Sequence, residues 1–103
     1  MGQGDPGNIY LIGFSCTGKS EIARLVAGRL GWEAVDTDDE VARLAGRPVP
    51  QIFSQEGEER FRELERTALA ELVRRRRLVV ATGGGMVVSP ENRRLMRDSG
   101  VVI

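Results

Sequence analysis

The chain has 103 residues, no net charge, one cysteine and no histidine. This length suits a single domain, and the absence of net positive charge argues against non-specific binding to nucleic acid. No run reaches the ~18 apolar residues of a membrane span and a single cysteine excludes an internal disulfide, so we expect a cytoplasmic protein with neither a membrane nor a nucleic-acid partner.

The first predicted element is a short strand that leads into a phosphate-binding loop. A flexible leader over residues 1–8 precedes an apolar strand at Asn8–Gly13, which is typical of strands buried on both faces of a parallel sheet. Residues Gly13–Ser20 read GFSCTGKS and match the P-loop pattern G-x-x-x-x-G-K-[ST]. Glycines there let backbone N–H groups close around a phosphate, while Lys19 adds a positive charge and Ser20 a hydroxyl that can ligate Mg²⁺. The loop therefore predicts a nucleotide site.

Helices and strands then alternate along the chain. In chain order the patterns predict a helix at Lys19–Leu30, a strand at Trp32–Asp36, a helix at Asp38–Ala45, one or two helical turns at Pro48–Phe53 interrupted by Pro50, a long helix from about Glu56 to Arg77, a strand at Leu78–Thr82, a helix that begins at Ser89-Pro90 and ends at Ser99-Gly100, and a strand at Val101–Ile103. This alternation predicts an α/β fold with a parallel sheet, in which ligands bind at the carboxyl ends of the strands. The first three strands end in the loop, in acids and in glycines, so we expect these to converge on one crevice.

Acidic residues follow the second predicted strand. Asp36 and Asp38 lie on one side if the chain stays extended, and beside a phosphate loop they suit phosphoryl transfer, which needs a carboxylate near Mg²⁺ and another to orient the attacking hydroxyl. The alternative is structural, because Thr37 with Glu40 fits a capping box and acids such as Asp39 favour the first turn of a helix. Since the chain has no histidine, acid–base chemistry must use carboxylates.

Arg62 and Glu65 lie three residues apart on the long helix, so their side chains are neighbours. The spacing by itself favours a surface ion pair of little energetic consequence. The alternative is that Glu65 holds the guanidinium for bidentate binding of a substrate carboxylate. The run Arg74–Arg77 is interpreted as a solvated helix end.

Three glycines, Gly83, Gly84 and Gly85, follow the third strand. They are either a loose connection or a segment where the backbone approaches a ligand closely, and the nearby P-loop favours the second interpretation. Cys16, inside the P-loop, is interpreted as a tolerated side chain rather than a redox group.

The motifs occur in a characteristic order: G-F-S-C-T-G-K-S, D-T-D, A-G-R-x-V-x-x-I-F, E-G-E-x-x-F-R-x-L-E and A-T-G-G-G. This set resembles the shikimate kinase family from about Ile9 to Ile103. The resemblance implies a P-loop NTPase-like three-layer α/β/α fold with four of the usual five strands. It also implies ATP- and Mg²⁺-dependent phosphorylation of the 3-hydroxyl of shikimate, on the way to chorismate and the aromatic amino acids.

The resemblance implies roles at the nucleotide end of the site. Lys19 would act on the transferring phosphate, and Ser20 and Asp36 would support Mg²⁺, the latter through water. The nucleotide-binding residues would be Gly13, Ser15, Cys16, Thr17, Gly18, Lys19, Ser20 and Glu21.

It implies further roles at the substrate end. Asp38 would bind the substrate hydroxyl and act as base, and Arg62 would clamp the shikimate carboxylate with Glu65 behind it. The pocket would be lined by Gly83, Gly84 and Gly85. Two aromatic side chains, Phe53 and Phe61, would pack either against this pocket or in the hydrophobic core.

The chain departs from the family's pattern in three respects. Glu21 stands where the family usually has Thr, and Cys16 where it has Gly or Ala. The family also continues past its fourth strand with a lid arginine, a second shikimate-binding arginine, a fifth strand and an adenine loop. We therefore expect residues 9–103 to be a truncated kinase domain, monomeric like the family. The alternatives are an inactive nucleotide-binding module that pairs through its fourth strand, and a kinase for another hydroxylated acceptor.

Overall fold

A computed structural model describes residues 7–12, 16–83 and 85–103 as a parallel sheet with helices on both faces. The strands are β1 Asn8–Leu11, β2 Glu33–Asp36, β3 Leu78–Ala81 and β4 Gly100–Val102. The helices are α1 Cys16–Leu30, α2 Thr37–Ala45, α3 Val49–Leu72 and α4 Pro90–Ser99, with a 3₁₀ turn at Met86–Val88. The predicted α/β fold is confirmed. None of the helices described is both long and apolar enough to cross a membrane.

The strand order is β2-β3-β1-β4, and every pairing is parallel. Ile9 of the central strand β1 pairs with Val79 on one side and with Val101 on the other. Because all four strands run the same way, the carboxyl ends of β1, β2 and β3 lie at one edge of the sheet. This edge is where the candidate functional residues meet.

The hydrophobic core has a layer on each face of the sheet. Side chains alternate along a strand, so Val79 packs with α1 residues such as Ala23 and Ala27, whereas Val80 packs with Leu69 and Met96 on the opposite face. A third cluster joins α2 to α3 and contains Val41, Ile52, Phe61, Leu64 and Ala68. The third cluster fixes the two helices that carry the acids and the arginine of the site.

Helix α3 differs from its prediction at both ends. Pro50 lies in the first turn, where a missing N–H costs nothing, so it does not interrupt the helix. The break falls instead at Gly57, whose φ of 86° and ψ of 172° are not helical. The helix ends at Leu72, before the predicted end at Arg77. Arg77 adopts a left-handed φ of 63°, which an α-helix cannot continue through.

A buried polar network holds β1 at the opposite end of the sheet. Asn8 is fully buried, and its Nδ2 donates to the Tyr10 hydroxyl at 2.9 Å and to the Leu72 carbonyl at 3.1 Å. Its Oδ1 accepts the Leu78 N–H at 2.9 Å. The strand predicted as wholly apolar therefore begins with an amide that ties β1 to β3 and to the end of α3.

Candidate active site

A hydrogen bond joins the last residue of the P-loop sequence, which lies in α1, to the end of β2. Ser20 Oγ donates to Asp36 Oδ2 at 2.5 Å, and Asp36 Oδ1 accepts the backbone N–H of Asp38 at 2.8 Å. Both carboxylate oxygens of Asp36 are therefore engaged, and the group is held next to the Ser20 hydroxyl. Hydroxyl and carboxylate oxygens are the hard ligands that Mg²⁺ prefers, so this pair fits a magnesium site.

The acids after β2 are not arranged as either sequence pattern predicts. The chain is already helical at Thr37, so strand alternation does not bring Asp36 and Asp38 together; the helix cap does. The predicted capping box is also wrong, because Asp36 is the N-cap residue. Thr37 is fully buried, and its Oγ1 accepts the N–H of Gly83 at 2.8 Å.

Asp38 lies in an environment that favours its protonated form. Partial burial of the carboxyl group is the largest cause of its raised pKa, although the residue as a whole is exposed. The negative charges of Asp36 and Asp39 raise the pKa further, and the positive charge of Lys19 partly offsets them. A carboxylate with increased proton affinity is better suited to accept a proton from a hydroxyl. Lys19 itself is only 5% exposed.

Arg62 is held by two carboxylates on its own helix. Nη1 donates to Glu65 Oε1 at 2.8 Å, and Nη2 donates to Glu58 Oε2 at 3.0 Å. The Glu65 side chain is 3% exposed, so the surface-pair interpretation is wrong for this contact. Burial raises the pKa of Glu65 and Arg62 lowers it, while the charge of Asp38 adds a smaller increase. Asp38 and the Arg62–Glu65 pair therefore share one electrostatic environment.

The glycines after β3 make room for these side chains. A Cβ on Gly83 would lie 2.7 Å from Asp38 Oδ1, and a Cβ on Gly85 would lie 2.7 Å from Cζ of Arg62. Gly85 has an ordinary φ of −76°, so space rather than backbone conformation requires glycine there. The close approach predicted for a ligand is made by the protein's own carboxylate and guanidinium.

The two aromatic residues occupy different environments. Their ring centroids are 4.5 Å apart at an interplanar angle of 34°. Phe61 is buried in the α2–α3 cluster, whereas Phe53 is 41% exposed. Cζ of Arg62 lies 5.6 Å from the centroid of the Phe61 ring, so the ring can hold the guanidinium by a cation–π interaction.

Comparison with known proteins identifies the family. The model of the shikimate kinase family matches residues 15–103. The chain belongs to the shikimate kinase family. The shikimate kinase of Pelotomaculum thermopropionicum is 48% identical to it over 96 residues, which are 93% of this chain and 56% of that protein.

Solved shikimate kinases share the fold. The enzyme from Acinetobacter baumannii, solved in complex with shikimate, is 43% identical with a TM-score of 0.88, over 93% of this chain and 54% of that one. The enzyme from Aquifex aeolicus is 39% identical with a TM-score of 0.86, over 92% of this chain and 56% of that one. The family and the P-loop NTPase-like fold predicted from the sequence are thus confirmed. The chain spans about half the length of these relatives.

The residues predicted for the site are partly described by the structure. Gly18, Lys19, Ser20 and Glu21 lie in α1, with Glu21 exposed. Of Cys16 and Thr17 the structure describes only the helical backbone. Gly13, Ser15 and Gly84 lie outside the described residues.

Two residues that contact the candidate site residues were missed by sequence reasoning. Thr37 binds the N–H of Gly83, which is 46 residues away, and no local pattern signals such a contact. Glu58 binds Arg62, and its i, i+4 spacing on the predicted helix was an available signal.

Proposed function

We propose that this chain carries the phosphate- and substrate-binding groups of a kinase that transfers a phosphoryl group from ATP to the 3-hydroxyl of shikimate. The observation that supports this is the meeting of three strand ends at one edge of the sheet. Ser20 bonds to Asp36 at the end of β2, and Gly83 and Gly85 after β3 adjoin Asp38 and Arg62. Because the chain spans about half the length of its relatives, the activity rests on this geometry together with membership of the family.

The residues at the nucleotide end of the proposed site would bind charged groups. Ser20 and Asp36 would hold Mg²⁺, which neutralises charge on the nucleotide phosphates when it is bound. Lys19 directly precedes Ser20 on α1 and would contact the transferring phosphoryl group. Its charge also partly opposes the rise in the pKa of Asp38 that burial and the neighbouring acids cause.

The residues at the substrate end recognise a hydroxy acid. Asp38 would orient the attacking hydroxyl and accept its proton as the new oxygen–phosphorus bond forms and the bond to the leaving nucleotide breaks. Arg62 would bind the substrate carboxylate through its planar fork, with Glu65 fixing the guanidinium. A ligand with both a hydroxyl and a carboxylate satisfies both groups, and this favours shikimate over a neutral acceptor.

A lysine substitution tests the carboxylate clamp. Arg62→Lys keeps a positive charge beside buried Glu65 but loses the bidentate fork, so we expect shikimate to bind about 10-fold more weakly. Binding would be followed by titration calorimetry, and ADP release by a coupled assay. Arg60→Lys is the matched control, because Arg60 is half exposed on the same helix and pairs with Glu56 and Glu63. Equal shikimate affinity of Arg62→Lys and the unsubstituted chain would favour another hydroxylated acceptor.

A second candidate is a nucleotide-binding module that acts by association. The edge strand β4 and the residue after it leave apolar side chains in water, with Val101 54% and Ile103 57% exposed. Such an edge can pair with a strand of another chain. Sedimentation of the chain as a strict monomer at all concentrations would count against this candidate.

A further inference from the structure

The two carboxylates on Arg62 differ in how easily they can leave. Glu65 is 3% exposed, so losing Arg62 would strand a buried charge, which is strongly unfavourable. The Glu58 side chain is 67% exposed, so a released Glu58 carboxylate returns to water. Exposed ion pairs of this kind contribute little net stability. Glu58 is therefore the exchangeable partner of Arg62.

The surroundings of Arg62 are balanced in charge while Glu58 is bound. A groove of about 250 Å³ opens beside the guanidinium, lined by Glu58, Arg62, Glu65, Arg66, Gly85, Val88, Ser89 and Asn92. Two glutamates face two arginines there, so an entering anion meets as many negative groups as positive ones. Removal of one glutamate would leave the groove with a net positive charge.

The break in α3 places Glu58 for this role. Gly57 leaves the helical conformation, so Glu58 starts the second segment of α3 one turn before Arg62. A carboxylate in the first turn of a helix is favoured by the helix dipole even without a cationic partner. Glu58 can thus release Arg62 and remain in a favourable position.

We propose that Glu58 occupies the position of the substrate carboxylate on Arg62 and is displaced when the substrate binds. This rests on the proposed function of Arg62 as the carboxylate clamp. A guanidinium binds a carboxylate bidentately through Nη1 and Nη2 or through Nε and Nη2, so both arrangements use Nη2. Each Nη carries two N–H groups, so Glu58 does not use up the donors of Nη2, but it places a carboxylate where the substrate carboxylate would enter. One carboxylate replaces another, so Arg62 stays paired throughout, and a ligand without a negative charge has no means of displacing Glu58.

The test is the shikimate affinity of Glu58→Gln, measured by titration calorimetry on the same chain. Removing the competitor should tighten binding by about two- to fivefold, the range that corresponds to loss of an exposed ion pair. The methyl ester of shikimate, which lacks the negative charge, should gain nothing from the substitution. Glu63→Gln is the matched control, because Glu63 is 56% exposed on the same helix and pairs with Arg60 instead.

Each outcome decides between explanations. Equal binding by Glu58→Gln would mean that Glu58 does not compete with the substrate, and weaker binding would mean that it orients Arg62; either result would refute the competition. An equal gain in affinity for the methyl ester, or an equal gain in shikimate affinity from Glu63→Gln, would show that the effect comes from the overall charge of the protein. Either result would also refute the competition. If the unsubstituted chain binds shikimate but these differences are absent, the proposed function stands and only the competition fails. If no variant binds shikimate, both fail together.

Discussion

Replacing Gly85 with alanine is expected to displace Arg62 without disturbing the backbone. The added Cβ would overlap Nη1 and would lie 2.7 Å from Cζ and 2.9 Å from Nη2 of the guanidinium. Such contacts normally settle at roughly 3.5–4.0 Å, so the overlapped Nη1 must move by about 2 Å. It can do so because it is the far end of a flexible side chain that is 36% exposed.

The expected loss falls on binding rather than on stability. A hydrogen bond to a charged group contributes about 1.5–3 kcal/mol, so a misplaced guanidinium should weaken shikimate binding by roughly 10- to 100-fold. The backbone of Gly85, at φ −76° and ψ −19°, suits alanine. Alanine also reduces the conformational entropy of the unfolded chain, which stabilises the folded state by about 0.4–1 kcal/mol. This gain opposes any destabilisation from a weaker Arg62–Glu65 pair. We expect the guanidinium to move while it stays paired with buried Glu65, so the free energy of unfolding should change by no more than about 1 kcal/mol.

The assay combines shikimate titration with urea unfolding. Gly28→Ala is the control, since Gly28 lies inside α1 and its Cβ would meet no heavy atom within 4 Å. It should stabilise the chain by about 0.5–1 kcal/mol and leave binding unchanged. In an Arg62→Gln background, Gly85→Ala should add almost no further loss, because both changes act on the same group.

Shikimate binding within twofold of the unsubstituted chain would refute the idea that Gly85 makes room for a functional arginine. Additive losses in the double variant would show that Gly85 acts through something other than Arg62. A loss of unfolding free energy above about 3 kcal/mol would point to a structural role for Gly85 in the turn.

Two further predictions concern Asp38 and Arg77. The native state holds the Asp38 proton more tightly than the unfolded chain, because its pKa is raised from the ordinary 3.8, so stability falls as pH rises through the interval between the two pKa values. Asp38→Asn should thus be more resistant to urea than the unsubstituted chain at neutral pH and equally resistant below the ordinary pKa. It should also lack phosphoryl transfer. Lower resistance to urea at neutral pH would contradict the prediction. Arg77 has a φ of 63°. Its N–H donates a hydrogen bond to the Gly7 carbonyl, and its own carbonyl accepts one from the Glu33 N–H. Arg77→Gly should raise the thermal midpoint through a gain of roughly 1 kcal/mol, and a lower midpoint would show that the arginine side chain outweighs the backbone strain.

Local patterns predicted the elements whose stop and start signals lie close in sequence. Ser89 caps α4 as predicted, accepting the Asn92 N–H at 3.3 Å, and Pro90 lies in the first turn. Helix α2 ends at Ala45 as predicted, and Gly46 after it has a left-handed φ of 73°. These features follow from the conformational preferences of single residues, and such preferences can be read from the sequence.

The errors occur where a distant part of the chain decides between two locally acceptable choices. Asp36 and Thr37 are both good N-cap residues, but the Thr37 hydroxyl is already taken by the N–H of Gly83. The basic run after Leu72 is compatible with helix, but the backbone of Arg77 pairs instead with Gly7 and with the strand that starts at Glu33. Neither contact has a local signal in the sequence.

The sequence by itself determined the alternation of strands and helices, the phosphate-binding motif and the membership of the family. These depend on residue types at short, fixed spacings. Only the tertiary structure decided that the strand order is β2-β3-β1-β4, that Asp38 and Arg62 occupy the space beside Gly83 and Gly85, and that Glu58 accepts a hydrogen bond from Nη2 of Arg62. Those facts depend on which side chains meet when distant segments pack. For this reason the sequence could predict that the glycines leave space, but it could not predict which side chains fill that space.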